Sequence, residues 1–310
     1  MPPLLFSTSS YEQFTESLAA AIGGEIGVIE RRDFPDGEHY QRIETPLNRR
    51  DVVLVGGSVD DQDSLCLFDL GCAAVRGGAR RLTLVIPYYG YSTMERAAKP
   101  GEVVTAKTRA LLFSAIPPAA FGNRLFLLEL HSEGIPHYFE GGLVATHLSA
   151  TTALTPWLQE VGGERFILAS ADAGRAKRVE ALANALGVEA AVLIKRRRSG
   201  SETEVIGVNA QVDGRRVIIY DDMIRTGGSI LRAAEVYREA GAREVHAACT
   251  HGVFPQGAWD RLLESPAVER IFATDSHPRA VSLAPRGLEI ASTVEIFAEA
   301  LREERGLDLI

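Results

Sequence analysis

Two adjacent carboxylates, Asp221 and Asp222, precede the run Thr226-Gly227-Gly228-Ser229 in the stretch RRVIIYDDMIRTGGSILRAAEVYREAGARE, Arg215 to Glu244. These residue types suit one kind of ligand. Glycines let backbone N–H groups approach an anion closely, and a helix that begins there adds the positive end of its dipole. Carboxylates accept hydrogen bonds and suit the neighbouring hydroxyls of a sugar. A phosphorylated pentose fits both halves, with its hydroxyls on Asp221 and Asp222 and its phosphate on Thr226, Gly227, Gly228 and Ser229. An isolated acidic pair would read as a capping loop with two solvated aspartates. The ordered series of strand, carboxylate pair, two apolar residues, glycine turn and helix favours the ligand.

The elements that must position this loop are legible as alternating patterns. Apolar runs of strand length, DVVLVGG, LTLVIPYYG, RLFLLELH, RFILASAD, AAVLIK, RVIIYDD and VHAACTHG, end in polar residues. Continuous apolar strands are buried on both faces and meet ligands at their carboxyl ends. SLCLFDLGCAAVRGG, GRAKRVEALANALG and SILRAAEVYREAGA read as helices, the last two closed by glycine. The fold class is α/β with mostly parallel sheets flanked by helices. The series also repeats. From Arg49, and again from Arg215, the chain runs basic pair, strand, polar loop, helix, Gly-Ala-Arg, strand, with intervals of about 29 and 26 residues to the Gly-Ala-Arg. A tandem of two similar domains is expected, 1–150 and 151–310, with the last helix able to pack back on the first.

Bulk properties narrow the function. The chain has 310 residues, 46% of them hydrophobic, and a net charge of −8. That argues against a non-specific nucleic-acid binder, which would be basic. Cys66, Cys72 and Cys249 form no CxxC or Cys/His cluster, so a thiol site or disulfide scaffold is not expected and a reducing cytoplasm fits. The start, MPPLLFSTSSYEQF, lacks the basic and apolar regions of a signal peptide, and no apolar run approaches the ~18 residues of a membrane span. A cytoplasmic protein with no nucleic-acid or membrane partner is expected.

VIIYDDMIRTGGS resembles the signature of phosphoribosyl-diphosphate binding proteins. Much of the chain is similar to ribose-phosphate diphosphokinases: FPDGE at 34–38, VIPYYGYSTMER, LELHSEGIPHYF, SADAGRAKR, IKRRR and GAREVHAACTHGVF fall in that family's order and spacing, over residues 5 to 295. The resemblance implies two phosphoribosyltransferase-like domains. It implies transfer of the diphosphoryl group of ATP to the C1 hydroxyl of ribose 5-phosphate, with Mg2+ as cofactor. His131 matches an active-site histidine near ATP and metal, and Asp172 a metal- and ribose-associated aspartate. Lys195 and Arg197, in KRRRSGSETE, match the lysine and arginine of a mobile catalytic loop that clamps the transferring phosphates. Phe34, Asp36 and Glu38 match positions that touch adenine from a neighbouring subunit, so a homo-oligomer with a shared nucleotide site is implied. Arg96 matches a phosphate-binding cation.

The match breaks in places. YYGYSTMER places Thr93, Met94 and Glu95 where the family carries an Arg-Gln pair and an aspartate; Arg225 replaces a common acidic residue and Glu129 an aspartate. These departures resemble the plant-like class II branch, which implies loose nucleotide selectivity and no control by free phosphate. A silent regulatory paralogue and an ordinary phosphoribosyltransferase are the other two readings. The first would lose catalytic-loop or metal residues that this chain keeps, and the second would need no second domain with FPDGE and LELH.

Overall fold

The computed structural model describes residues 1–199 and 202–307; the side chains of 194–206, 305 and 307 lie outside the described residues. Two compact units divide the chain, Met1–Ser149 with Thr293–Ile310, and Ala150–Ser292.

Unit 1 is built in the order β1 (Leu4–Ser7), α1 (Glu12–Ile22), β2 (Glu25–Ile26), β3 (Ile29–Asp33), β4 (His39–Ile43), β5 (Asp51–Val55), α2 (Asp61–Arg76), β6 (Arg81–Ile86), α3 (Thr105–Ser114), β7 (Asn123–Leu128) and β8 (Val144–Leu148). Its sheet has the order β2-β1-β5-β6-β7-β8 with every pairing parallel. The inner strands β1, β5, β6 and β7 are buried on both faces, which is why their sequences run apolar without alternation. Strands β3 and β4 form a separate antiparallel hairpin.

Unit 2 follows with α4 (Thr151–Gly162), β9 (Ile167–Ser170), α5 (Ala176–Leu186), β10 (Glu189–Ala191), β11 (Leu193–Ser199), β12 (Glu202–Val208), β13 (Arg216–Ile224), α6 (Gly228–Glu239), β14 (Glu244–Gly252), α7 (Ala258–Glu264), β15 (Ile271–Thr274), α8 (Pro278–Leu283) and β16 (Glu289–Ala291). Its sheet order, β10-β9-β13-β14-β15-β16, is also wholly parallel, and β11–β12 is again a detached antiparallel hairpin. The repeat therefore extends beyond the two stretches that announce it. In both units a hairpin follows the edge strand, and the third strand of the sheet leads into a helix through a glycine turn.

Two elements differ from the sequence reading. AAVLIK is not one strand: β10 ends at Ala191, and Leu193 begins the hairpin. RVIIYDD does not end the strand. Strand β13 runs on to Ile224, because β14 is equally long and pairs Asp221 with Cys249, Met223 with His251 and Ile224 with Gly252. The carboxylate pair stands within the strand's last turns of pleat, not in a loop.

The last helix, α9 (Val294–Leu307), belongs to unit 1. Phe297 meets Phe14 of α1 edge to face, with ring centroids 5.9 Å apart. The buried Glu304 lies 2.8 Å from Arg124 Nε and accepts from Thr83 Oγ1 at 3.4 Å. Apolar burial and a buried acid held by a cation together fix the helix.

Candidate active site

In unit 2 the site is assembled at the carboxyl ends of β9 and β13. Asp222 is buried, 1% exposed, and the backbone N–H of Asp222 donates to Asp221 Oδ1 at 2.9 Å. The turn after β9 supplies a third carboxylate and a cation. Asp172 caps the short 3-10 turn Ala173–Arg175, its Oδ1 accepting from Gly174 N at 2.9 Å, while Oδ2 accepts no hydrogen bond from a described residue. Arg175 then reaches the aspartate pair, with Nε 3.4 Å from Asp221 Oδ1 and Nη2 3.1 Å from Asp222 Oδ1. Burial and the neighbouring Asp222 push the Asp221 carboxyl well above the usual carboxylate range; Arg175 pulls it back and Asp172 adds to the rise.

The glycine turn lies immediately beyond. Gly227 is the N-cap of α6 with φ +76°, a left-handed conformation that glycine adopts without penalty. Thr226 and Ser229 are exposed, and the first N–H groups of α6 have no partners within the helix. Arg232 Nη2 donates to Ser229 Oγ at 3.4 Å, and Arg261 Nη1 to the Thr226 carbonyl at 3.5 Å. The sequence reading missed Arg175, Arg232 and Arg261. Arg232 was reachable, since it stands one helical turn after the glycines; the other two come from distant segments.

Unit 1 has the equivalent loop, Gly56-Gly57-Ser58 between β5 and α2, but fills it from within. The buried Asp63 carboxylate accepts from Gly57 N at 3.1 Å, Asp60 caps α2 by accepting from Asp63 N at 2.7 Å, and Ser58 Oγ accepts from Gly90 N at 2.7 Å. A Cβ on Gly90 would lie 1.9 Å from the Ser58 carbonyl oxygen. The Asp63 side chain thus fills this loop, whereas Thr226 and Ser229 of the corresponding turn in unit 2 are exposed.

The other unit 1 residues fall in two places. His131 is half-buried and lies beyond β7, which ends at Leu128, rather than at the strand's end. Glu129, at φ +43°, and Leu130, whose N–H donates to His147 Nε2 at 2.9 Å, turn the chain between them. The loop of Thr93, Met94, Glu95 and Arg96 is tied to the segment after His131, because Tyr138 Oη donates to the Glu95 carbonyl at 2.6 Å. Arg96 is highly exposed, its Nε 3.5 Å from Glu95. Phe34, Asp36 and Glu38 form the tip of the β3–β4 hairpin. Phe34 N donates to the Glu38 carbonyl, Glu38 N to Asp36 Oδ1, and Phe34 is 46% exposed. Lys195 and Arg197 are in β11, but their side chains lie outside the described residues.

Among the described residues, the trio Glu244, His246 and Glu269 has the spacing of metal ligands. It stands at the opposite, amino end of β14. Its carboxylates are already engaged, Glu244 by Arg216 at 2.7 Å and Arg243 at 3.0 Å, and Glu269 by Arg238. We read it as an ion-pair network.

Residues 4–116 match the N-terminal domain of ribose phosphate pyrophosphokinase, and residues 187–304 the phosphoribosyl synthetase-associated domain. A ribose-phosphate pyrophosphokinase of Fusobacterium nucleatum is 32% identical over 301 residues, covering 96% of this chain and 93% of that protein. The chain belongs to the ribose-phosphate pyrophosphokinase family. Another pyrophosphokinase of this name, from Methanopyrus kandleri, is 34% identical over 297 residues, covering 94% of this chain and 98% of that one. The crystal structure of phosphoribosylpyrophosphate synthetase from Mycobacterium smegmatis superposes with a TM-score of 0.86 at 27% identity, covering 97% of this chain and 98% of that one. The pyrophosphokinase fold is thus shared over nearly the whole length, both units included.

Proposed function

We propose that the protein is a ribose-phosphate pyrophosphokinase. It moves the β,γ-diphosphoryl group of ATP to the C1 hydroxyl of ribose 5-phosphate: the sugar oxygen bonds to the β-phosphorus, the bond from that phosphorus to the oxygen left on AMP breaks, and the hydroxyl proton is released. The observation that carries the sugar site is the carboxylate pair of β13 beside the glycine turn that opens α6, whose Thr226 and Ser229 are exposed. Asp221 and Asp222 accept from the ribose hydroxyls, and Thr226 to Ser229 hold the 5-phosphate through backbone N–H groups, with Arg232 and Arg261 adding charge.

Such a transfer depends on position and on charge neutralisation. A divalent cation fits Asp172, whose Oδ2 is not used by the cap, and Mg2+ is the hard cation that takes one or two protein groups and fills its remaining sites with phosphate oxygens and water. When bound, it offsets phosphate charge. His131 and Arg96 are assigned to the nucleotide side, Lys195 and Arg197 to the transferring phosphates. The exposed Phe34, Asp36 and Glu38 are assigned to the adenine of a neighbouring copy's nucleotide in a homo-oligomer, which sedimentation velocity would read as an assembly larger than 33.6 kDa.

The test is AMP formation from ATP, dependent on ribose 5-phosphate, repeated with GTP, CTP and UTP at equal magnesium. Rates for all four within about a hundredfold are expected, the scale reached when an apolar surface such as Met94 sorts the base. No AMP would favour the regulatory paralogue. An ATP preference above about ten-thousandfold would mean that hydrogen-bonding groups read the adenine.

A further inference from the structure

The carboxylates assigned to the sugar already have a donor in the free protein. Arg175 Nη2 lies 3.1 Å from Asp222 Oδ1 and 3.3 Å from its Oδ2, and Nε lies 3.4 Å from Asp221 Oδ1. Asp221 Oδ1 also accepts from the Asp222 N–H. The Asp222 side chain is 1% exposed and that of Arg175 15%. Asp222 is therefore covered, and the guanidinium is part of its cover.

Two neighbouring hydroxyls present two O–H donors to two acceptors. A guanidinium presents N–H donors in a fixed planar fork of similar reach. The two ligands ask for the same lone pairs. Arg175 is also placed where it can leave. It ends a 3-10 turn whose Ala173 and Gly174 are exposed and which the Asp172 side chain caps. Arg175 is not part of the apolar core of unit 2, so a change of its rotamer leaves that core closed.

We propose that Arg175 is a built-in competitor for the sugar: its guanidinium occupies the acceptors of Asp221 and Asp222 in the free protein, leaves Asp222 when ribose 5-phosphate binds, and so sets the affinity for that substrate. The proposal rests on the reading of this pair as the sugar site. Its consequence is a reduction in apparent affinity by the fraction of molecules whose acceptors are open. A lysine keeps the charge beside the two carboxylates but lacks the fork that bridges them.

Calorimetric titration of ribose 5-phosphate, and separately of inorganic phosphate, into the wild-type protein and Arg175→Lys tests this. Arg175→Lys is expected to bind ribose 5-phosphate tighter by about three- to tenfold, with phosphate affinity unchanged because the anion cradle is untouched. Weaker binding of the sugar phosphate would overturn the proposal and make Arg175 a direct ligand. Equal affinity would also overturn it, leaving a permanent clamp. A crystal structure of the wild-type protein with ribose 5-phosphate decides independently of any variant's folding. Separation of Arg175 Nη2 from Asp222 beyond about 4 Å, the limit of an ion pair, supports displacement, and retention of the contact overturns it. Failure of the functional reading has a different signature: wild-type protein that binds phosphate but shows no gain from the sugar, and an Asp222→Asn variant that behaves like it.

Discussion

Asp222 is both an assigned ligand and a structural residue, and its surroundings decide how it can be tested. It stands inside β13, is 1% exposed and faces the Arg175 guanidinium. Alanine would leave a void and a cation short of a partner, so asparagine, equal in size, is the cleaner change. Asp222→Asn is expected to weaken ribose 5-phosphate about ten- to a hundredfold, the loss of one charged hydrogen bond worth roughly 1.5–3 kcal/mol. Nucleotide affinity should stay within about threefold of wild type, well below that loss. Unchanged sugar affinity by calorimetry would remove the assignment. The carboxylate pair was legible from residue types and order alone. Its cover was not: Arg175 and Asp222 are 47 positions apart, and they meet only because β9 is paired alongside β13. Short-range spacing carries no trace of that contact.

The glycine turn before α6 depends on two glycines that do different things. Gly227 has φ +76°, and a Cβ there would lie 2.8 Å from Cγ and Cδ2 of the buried Leu262. Gly228 has an ordinary φ, and its Cβ would meet Arg232 Nη1 at 3.4 Å and Thr226 Oγ1 at 3.9 Å. Gly227→Ala should therefore destabilise unit 2 by about 1–3 kcal/mol, from the left-handed backbone and the overpacking. Gly228→Ala should leave the thermal midpoint within about 2 °C, as expected for a change of under half a kcal/mol. It should still weaken ribose 5-phosphate, because its methyl faces the cradle. Matched thermal melts and titrations of the two variants check this, and equal loss of stability in both would refute the distinction. Helix α6 and the glycine turn were readable from punctuation. The bounds of β13 were not, since its extra residues are fixed by the length of its neighbour. The division of AAVLIK was hidden for a similar reason: the continuous apolar run gives no sign that the chain leaves the sheet at Val192.

At the scale of the whole chain, the echo in sequence corresponds to two sheets of the same strand order, each followed through the same hairpin and glycine turn. What the echo concealed is that the two turns have opposite contents, a carboxylate from Asp63 in one and an open cradle in the other. Chemical specialisation shows in side chains that close a loop on itself, while the repeat preserves the frame. The open turn belongs to a unit whose stability is set in part by buried histidine. His277 is 5% exposed and caps α8, its Nδ1 accepting from Arg279 N at 3.0 Å. Burial first, then His251 and Arg279, push its pKa down to about 3. The unfolded chain returns it to about 6.5. Below that value the unfolded state binds a proton that the folded state refuses, so stability is fully present above about pH 6.5 and falls toward pH 3, by about 1.4 kcal/mol per pH unit for one group. His246, lowered by burial, acts in the same direction. His277→Asn keeps a capping acceptor and removes the titration. Both tryptophans, Trp157 and Trp259, lie in unit 2, so their fluorescence follows its unfolding. Urea midpoints from pH 7.5 to 4.5 should fall less steeply for His277→Asn than for wild type, by about one proton in the slope at the acid end. Parallel slopes would show that His277 titrates alike in both states and that its burial is relieved in solution.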